Sequence, residues 1–257
     1  MVSNETPIVK LVANFRRLYL SLSPQELESY QLLVLISTGT FAPVHLGHVA
    51  MMEQAKLHIE STNPNHLVLA GYLSPSHDHY TSYKLGRLNV SAPHRIKMCH
   101  LATETSTWMD VDPWESIQSR FKDYPQVVVR LSYYLNENTE LQELLSHTSL
   151  HFPKIRVVYV CGRDHAMKCS LRILFGGVAV VERDQNSKSL EIELQERMLK
   201  MMGPRFSERC WIVPGNNDAL TVSSTQVRTL LLEKESDITP LCGSAVAGYI
   251  LENQLWT

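Results

Sequence analysis

The sequence predicts an α/β fold, a doubly wound parallel sheet with helices on both faces. Short continuous apolar runs alternate along the chain with segments of helical periodicity, which is typical of strands joined by crossover helices. Runs such as Leu32–Ile36 and Lys154–Cys161 lack polar alternation, which indicates strands buried on both faces. The first of these runs ends in Ser37-Thr38-Gly39-Thr40 and is followed by an amphipathic segment, as expected of a strand that leads into a helix.

Six segments are predicted strands. Residues 108–111 are predicted to form an edge strand, because this run is short. The strands are Leu32–Ile36, His66–Leu73, Trp108–Val111, Lys154–Cys161, Val178–Glu182 and Arg209–Val213. The intervening apolar periodicity predicts helices over 5–30, His48–Ile59, Ala92–Glu104, Trp114–Lys122, Gln126–Leu145, Ser224–Glu233 and Ala245–Leu255. Ser23-Pro24-Gln25-Glu26 marks a helix start within the first of these.

Composition limits the class of protein. The 257 residues, 44% of them hydrophobic, suffice for one large domain, and we expect a helical extension over 1–30 and a single domain over 31–257. A formal net charge of −2 predicts no general nucleic-acid or anionic-membrane partner. The five scattered cysteines match no zinc spacing or disulfide framework, and no apolar run reaches membrane-spanning length. We therefore expect a cytoplasmic or nuclear protein; the sequence leaves self-association into a homo-oligomer open.

The first candidate site is the stretch GTFAPVHLGH, residues 39–48. Ligands bind at the carboxyl ends of strands in doubly wound sheets, and this stretch follows such an end. Glycine permits close approach of backbone to ligand, and a helix N-terminus offers free N–H groups to an anion. His45 and His48 add imidazole donors at that point. The pattern predicts a phosphate site; a capped turn is the plain alternative, and a zinc site lacks a third ligand at a characteristic spacing.

The second candidate site is VSSTQVR, residues 222–228. Ser223 or Ser224 is a natural N-cap, Thr225 adds a hydroxyl, and Arg228 lies one turn further along. Hydroxyls, free amides and a guanidinium together suit a phosphate, although an ordinary capped helix would show the same residues.

These motifs resemble the signatures of the nucleotidylyltransferase superfamily, (His/Thr)-x-Gly-His and Ile-Ser-Ser-Thr-x-x-Arg, with Val222 in place of Ile. Further stretches resemble the eukaryotic-type nicotinamide mononucleotide (NMN) adenylyltransferases: GYLSPSHDHY, PHRIKMCHLA, WMDVDPWES, VYVCGRDH and AGYILENQLW. The resemblance runs from about Leu32 to Trp256. It implies a Rossmann-like fold and transfer of the adenylyl group of ATP to NMN, with NAD and pyrophosphate as products.

The resemblance also implies roles for individual residues. Catalytic roles fall to His48, Arg228 and His45. ATP contacts fall to Gly39, Thr40, Phe41, His45, His48, Gly162, Asp164, Ser223, Ser224, Thr225 and Arg228. Contacts with the mononucleotide fall to Thr40, Trp114 (under the nicotinamide ring), Lys84 or Arg87 (at its phosphate) and Phe175.

Two departures from the family pattern bear on the acceptor. The lysine-rich stretch is rewritten as HYTSYKLGRLNVSAPHR, so Lys84 and Arg87 are both open as the phosphate contact. The segment between Asp164 and Val178 is short and lacks a second stacking tryptophan, for which Phe175 is the candidate. We therefore expect NMN as acceptor and also its nicotinic acid analogue. Mg²⁺ is expected to arrive with ATP, with no metal ligands supplied by the protein. Another phosphate-ester acceptor and an inactive, chaperone-like relative are the alternatives.

Overall fold

The computed structural model describes residues 5–146, 154–172, 174, 176–183, 188–215, 218–234 and 237–256. Its centre is a six-stranded parallel sheet in the order β3-β2-β1-β4-β5-β6. The strands are β1 Gln31–Gly39, β2 His66–Pro75, β3 Met109–Val111, β4 Arg156–Gly162, β5 Val178–Val181 and β6 Cys210–Val213. The predicted strands and the edge position of β3 are confirmed.

Helices cover both faces of the sheet. They are α1 Val9–Ser21, α2 Pro24–Glu28, α3 Leu46–Thr62, α4 Asp78–Leu85, α5 Ala92–Thr103, α6 Tyr124–Glu137, α7 Thr139–Ser146, α8 Arg163–Lys168, α9 Lys188–Met202, α10 Phe206–Arg209, α11 Ser224–Leu232, α12 Thr239–Cys242 and α13 Ser244–Glu252. Short 3₁₀ turns span Gly86–Leu88, Gly203–Arg205 and Asp218–Thr221. Among the described helices, none combines the length and apolar character needed to cross a membrane.

Side chains of β1 alternate between two apolar layers. Leu33 and Leu35 face the layer formed with α3, α5, α11 and α13, whereas Leu32 and Val34 face the layer formed with α1, α6 and α9. All four are fully buried, which explains a strand without polar alternation. Burying each such side chain stabilises the fold by about 1.5–3 kcal/mol. The predicted Rossmann-like sheet with helices on both faces is thus confirmed.

Strand order reverses at the middle of the sheet. From β1 the chain moves outward through β2 to β3, and from β4 it moves outward the other way through β5 to β6. The neighbouring strands β1 and β4 therefore send their following segments in opposite directions, which opens a crevice at their carboxyl ends.

One predicted helix is wrong and one is divided. Residues 114–120 form turns and bends, because side chains tie this segment to its neighbours: Ser116 Oγ donates to the carbonyl oxygen of Pro75, and Asp112 Oδ1 accepts from the amide of Trp114 at 3.2 Å. The helix predicted over Gln126–Leu145 is two helices, α6 and α7, separated at Asn138, whose backbone is extended.

The N-terminal segment forms two helices, as predicted. α2 begins at the expected Ser23, whose side chain and that of Glu26 form a reciprocal capping box. The side chains of Leu11, Val12 and Phe15 on α1 are buried in the apolar layer that α1 forms with α6 and α9. The division of the chain at residue 30 stays a prediction.

Candidate active site

A cavity of about 240 Å³ lies at the carboxyl ends of β1 and β4, where the strand order reverses. Its lining comes from the ends of β1, β4 and β5, from the beginnings of α3 and α8, and from α4. The lining residues are Ser37, Thr38, Gly39, Thr40, His45, Gly47, His48, Met51, Lys84, Tyr159, Cys161, Gly162, Asp164, His165, Val181, Arg183 and Leu220. Seven predicted site residues are brought together here: Gly39, Thr40, His45, His48, Lys84, Gly162 and Asp164.

His45 and His48 occupy the N-terminus of α3. His45 is the N-cap residue, and its backbone amide donates to Nδ1 of His48 at 3.2 Å. Because Nδ1 of His48 accepts a hydrogen bond, the neutral ring carries its proton on Nε2 and donates from there. The two rings lie 3.7 Å apart between centroids. Nδ1 of His45 is buried and has no hydrogen-bond partner in the described part of the chain.

Both imidazoles are held neutral in the free protein. Burial, together with the charge of Arg183, lowers the pKa of His45 from 6.5 to about 4. Burial, His45 and Arg183 hold the pKa of His48 well below its usual range. The pair therefore offers neutral N–H donors, with the N-terminus of α3 as a partial positive charge beside them.

Phe41 shapes the loop that leads to these histidines. Its backbone is left-handed, with φ of 45°, and its ring packs edge-on against His48 at a centroid distance of 4.8 Å. A Cβ on Gly39 would lie 3.2 Å from that ring, so a glycine at this position leaves room for the folded-back side chain. Phe41 is buried and stands behind His48, outside the cavity lining.

The second motif, residues 222–228, is hydrogen-bonded to the backbone of the first motif, residues 39–48. Ser223 is the N-cap of α11 and accepts from the amide of Gln226 at 3.1 Å. Ser224 Oγ donates to the carbonyl oxygen of Pro43 at 2.8 Å, and Arg228 Nη1 donates to that of Ala42 at 2.6 Å.

Arg228 and the hydroxyls around it lie just outside the cavity lining. Nη2 of Arg228 donates to Thr225 Oγ1 at 3.0 Å, and Nε is buried without a hydrogen-bond partner among the described residues. The predicted phosphate contacts of Ser223, Ser224, Thr225 and Arg228 stay predictions.

β4 and the helix that follows it supply two predicted residues and two that sequence reasoning missed. Gly162 is the N-cap of α8, and Asp164 lies in its first turn. Tyr159 and His165 line the same wall, with Tyr159 Oη 3.0 Å from Thr38 Oγ1 and 3.3 Å from His165 Nε2. The available signal for Tyr159 was a polar hydroxyl within a buried apolar strand.

Arg183 is a further cationic residue that sequence reasoning missed. It follows β5 by two positions and lines the cavity, where its charge depresses the pKa of both His45 and His48. A basic side chain directly after the carboxyl end of a predicted strand could have identified it.

Of the two candidate phosphate contacts of the acceptor, Lys84 lines the cavity and Arg87 does not. Lys84 on α4 lines the cavity, and burial and the charge of Arg228 lower its pKa. Arg87 lies on the 3₁₀ turn that follows α4, outside the lining. Both side chains are exposed, and the choice between them stays a prediction. Phe175 lies outside the described residues.

Trp114 lies beyond the cavity lining, on the segment between β3 and α6. The side chain of Trp114 is half-buried against the apolar layer formed with α1, α6 and α9. The guanidinium of Arg130 lies 5.1 Å from the centroid of its ring. Its predicted contact with a nicotinamide ring stays a prediction.

The donor chemistry of the cavity suits a nucleotide better than a bare metal ion. Within the described residues, no group of three His, Cys, Asp or Glu side chains is arranged to hold a metal. The lining instead offers imidazoles, hydroxyls, Lys84, Arg183 and the carboxylate of Asp164.

Known proteins are similar to this chain in sequence. The chain is 28% identical over 210 residues to nicotinamide/nicotinic acid mononucleotide adenylyltransferase 2 of Xenopus tropicalis. The matched region covers 71% of this chain and 66% of that protein. It is 33% identical over 131 residues to the enzyme of that type from Arabidopsis thaliana (51% and 49% covered) and 39% over 106 residues to that of Schizosaccharomyces pombe (41% and 27%). The matches thus span between about a quarter and two thirds of these relatives.

A solved structure shares the fold. Plasmodium falciparum nicotinic acid mononucleotide adenylyltransferase, complexed with NaAD, superposes with a TM-score of 0.54 at 16% identity and covers 88% of this chain and 98% of its own. The resemblance to mononucleotide adenylyltransferases that the motifs predicted is confirmed. The sequence model of the cytidylyltransferase-like family matches residues 36–230, well over half of the protein, so the chain belongs to the cytidylyltransferase-like family.

Proposed function

We propose that this protein transfers the adenylyl group of ATP to NMN, with NAD and pyrophosphate as products. The observation that carries the proposal is the position of His45 and His48, which line a cavity at the carboxyl ends of β1 and β4 beside the N-terminus of α3. Helix N-termini at this edge of an α/β sheet bind phosphates. The names of the relatives, nicotinamide/nicotinic acid mononucleotide adenylyltransferases, support the acceptor.

The reaction requires positioning more than acid–base chemistry. An oxygen of the NMN phosphate attacks the α-phosphorus of ATP in line, and the bond from that phosphorus to the bridging oxygen breaks. Pyrophosphate leaves with the electron pair. The attacking phosphate is already anionic, so no side chain has to remove a proton. Alignment of two bound reactants supplies about 7–11 kcal/mol of barrier lowering.

The cavity residues divide between the two nucleotides in this proposal. His48 donates from Nε2 to the phosphate oxygens on which negative charge develops, with His45 and Arg183 beside it. Asp164 accepts from the ribose hydroxyls of ATP at the end of β4. Lys84 meets the NMN phosphate, and Trp114 stacks on the pyridinium ring, an attraction of about 0.5–2 kcal/mol.

Mg²⁺ would be held by ATP oxygens and water, since this ion retains waters and favours phosphate ligands. When bound, it would neutralise the charge of the leaving pyrophosphate. The predicted location in the cytoplasm or nucleus, self-association, and the absence of nucleic-acid or membrane partners stay predictions.

Incubation with ATP, Mg²⁺ and NMN, followed by measurement of NAD, tests the proposal. We expect NAD and pyrophosphate to form in equal amounts. A parallel arm with nicotinic acid mononucleotide measures the preference between the two acceptors. If neither acceptor is adenylylated, the proposal fails. ATP binding without any turnover would then favour a non-catalytic nucleotide-binding protein, and turnover with another phosphate ester would favour a different transferase of the same family.

A further inference from the structure

The N-terminal segment runs antiparallel to β3 and reaches the edge of the sheet that carries the candidate active site. Asn14 Nδ2 on α1 donates to the carbonyl oxygen of Thr107, before β3 begins, at 3.2 Å. Lys10 Nζ donates to that of Met109, the first residue of β3, at 2.6 Å. The residues that precede α1 therefore lie beside the segment that follows β3.

Thr6 makes the last contact of this series. It is 1% exposed, and its Oγ1 donates to Asp112 Oδ1 at 2.8 Å. The same Oγ1 accepts from Arg130 Nη1, and the carbonyl oxygen of Thr6 accepts from Tyr134 Oη at 3.1 Å. Asp112 is fully buried, and its other carboxylate oxygen lies 3.3 Å from Arg130 Nη1. Burial raises the pKa of Asp112, and the guanidinium of Arg130 and the hydroxyl of Thr6 act against this rise by stabilising the charged carboxylate.

The two partners of the Thr6 hydroxyl, Asp112 and Arg130, both contact Trp114. Asp112 Oδ1 accepts from the backbone amide of Trp114 at 3.2 Å and so fixes the turn on which the indole stands. The guanidinium of Arg130 lies 5.1 Å from the indole centroid and 4.6 Å from the ring of Tyr134. One face of the indole thus lies against an arginine whose guanidinium is itself bound to Thr6 and Asp112.

We propose that the N-terminal segment braces the acceptor site, with Thr6 as a positioning residue that acts on Trp114 through Asp112 and Arg130. The role of Trp114 at the acceptor rests on the proposed function; the brace itself rests on the contacts above. Thr6, on the segment that precedes α1, thereby helps to position the acceptor site from outside the cavity lining.

Substitution Thr6→Val tests the brace, because valine keeps the shape and removes the hydroxyl. Thr6→Ser, which keeps the hydroxyl, should behave as wild type. Thr103→Val is the matched control. Thr103 is equally buried, and its Oγ1 donates to the carbonyl oxygen of Cys99 and not to Asp112. Its backbone carbonyl, which accepts from Lys10 Nζ, is kept in the variant. With the proposed activity, we expect Thr6→Val to raise KM for NMN about tenfold, as for the loss of one hydrogen bond to a charged group, and to leave KM for ATP within about twofold.

A second readout is independent of activity. The chain has four tryptophans, Trp108, Trp114, Trp211 and Trp256, so 5-fluorotryptophan labelling gives four ¹⁹F signals, of which Trp114→Phe assigns one. Thr6→Val should shift or broaden the Trp114 signal, and Thr103→Val should leave it in place. A Trp114 signal that Thr6→Val leaves in place would overturn the brace. So would a KM for NMN that changes equally in Thr6→Val and Thr103→Val, or a Thr6→Val variant in which the KM values for NMN and ATP change equally. A wild-type protein without NMN turnover would refute the proposed function, while the ¹⁹F result would still decide the brace.

Discussion

The guanidinium of Arg228 donates from Nη1 to the carbonyl oxygen of Ala42 at 2.6 Å, across 186 positions of sequence. Ser224 Oγ reinforces this link with a 2.8 Å hydrogen bond to the carbonyl oxygen of Pro43. The second motif therefore binds the backbone of the first, at the loop whose Phe41 packs against His48. We infer that Arg228 orients the histidine loop in addition to its predicted contact with phosphate.

The first prediction concerns Arg228→Lys. A lysine ammonium cannot reproduce the planar fork that reaches both Ala42 and Thr225 Oγ1. We expect kcat for NAD formation to fall by about a hundredfold, as for other losses of a preorganised donor. Thr225→Val, which removes one of the two contacts, should reduce kcat less. Arg16→Lys on the exposed face of α1 is the control, and equal kcat values for Arg228→Lys and wild type would remove Arg228 from the site.

The second prediction separates the two nitrogens of His48. Since Nδ1 accepts from the backbone of His45, the donor available to phosphate is Nε2. His48→Ala should lower kcat by about a hundredfold or more while the melting temperature changes little. Glutamine places an amide N–H near the position of Nε2, whereas asparagine reaches only the position of Nδ1. Steady-state kinetics should therefore show His48→Gln to be more active than His48→Asn, and the reverse order would contradict the assignment.

The strands and the edge position of β3 could be predicted from the sequence, because local pattern and burial agree there. All six strands follow from continuous apolar runs, and the cluster of His45, His48, Gly162 and Asp164 follows from the rule that strand ends meet at one edge. The segment 114–120 failed for the opposite reason. Its helical pattern is overridden by two contacts: Ser116 Oγ donates to the distant carbonyl oxygen of Pro75, and the amide of Trp114 donates to the nearby side chain of Asp112.

Short polar helices and contacts between distant side chains also escaped prediction. α4 has no apolar stripe, and its start depends on His77, whose side chain accepts from the amide of His79. The path of Thr6 to Asp112 joins residues 106 positions apart. No local pattern specifies such a pair, since it results from the packing of α1 along β3.

The third prediction uses the depressed pKa of His45. Its pKa is about 4 in the folded protein against 6.5 in the unfolded chain, so the unfolded state binds more protons between these values. The contribution of neutral His45 to the free energy of unfolding is therefore fully present above pH 6.5 and is lost as the pH falls toward 4. The loss is about 3 kcal/mol at most. Urea unfolding between pH 4.5 and 7 should show a shallower pH dependence for His45→Asn than for wild type. Parallel curves would mean that His45 is not buried in its neutral form.

The fourth prediction concerns Glu115, whose titration has the opposite sign. Burial raises its pKa from 4.5 to about 8, against hydrogen bonds from Ser76 and from the amide of His77. Its contribution to stability is present below pH 4.5 and is lost as the pH rises through about 8. Glu115→Gln keeps an acceptor and cannot ionise. The variant should melt at a higher temperature than wild type at pH 8.5 and nearly together with it at pH 5.

Glu252→Gln on an exposed helix end is the control for that experiment, because it removes a surface carboxylate and leaves the core unchanged. If Glu252→Gln and Glu115→Gln shift the melting temperature equally at pH 8.5, burial of Glu115 is not the cause.

The last prediction concerns Arg183, the cation that stands beside both histidines. Removal of its charge in Arg183→Gln should raise KM for ATP about tenfold, since a charge-assisted contact with phosphate is lost, and should leave KM for NMN nearly unchanged. The attraction acts at the mouth of an open cavity, so added salt screens it. KM for ATP should thus rise more steeply with salt in wild type than in the variant. Arg172→Gln, an exposed arginine outside the cavity lining, should behave as wild type. If Arg183→Gln weakens both substrates equally, its charge serves the whole site and not the triphosphate alone.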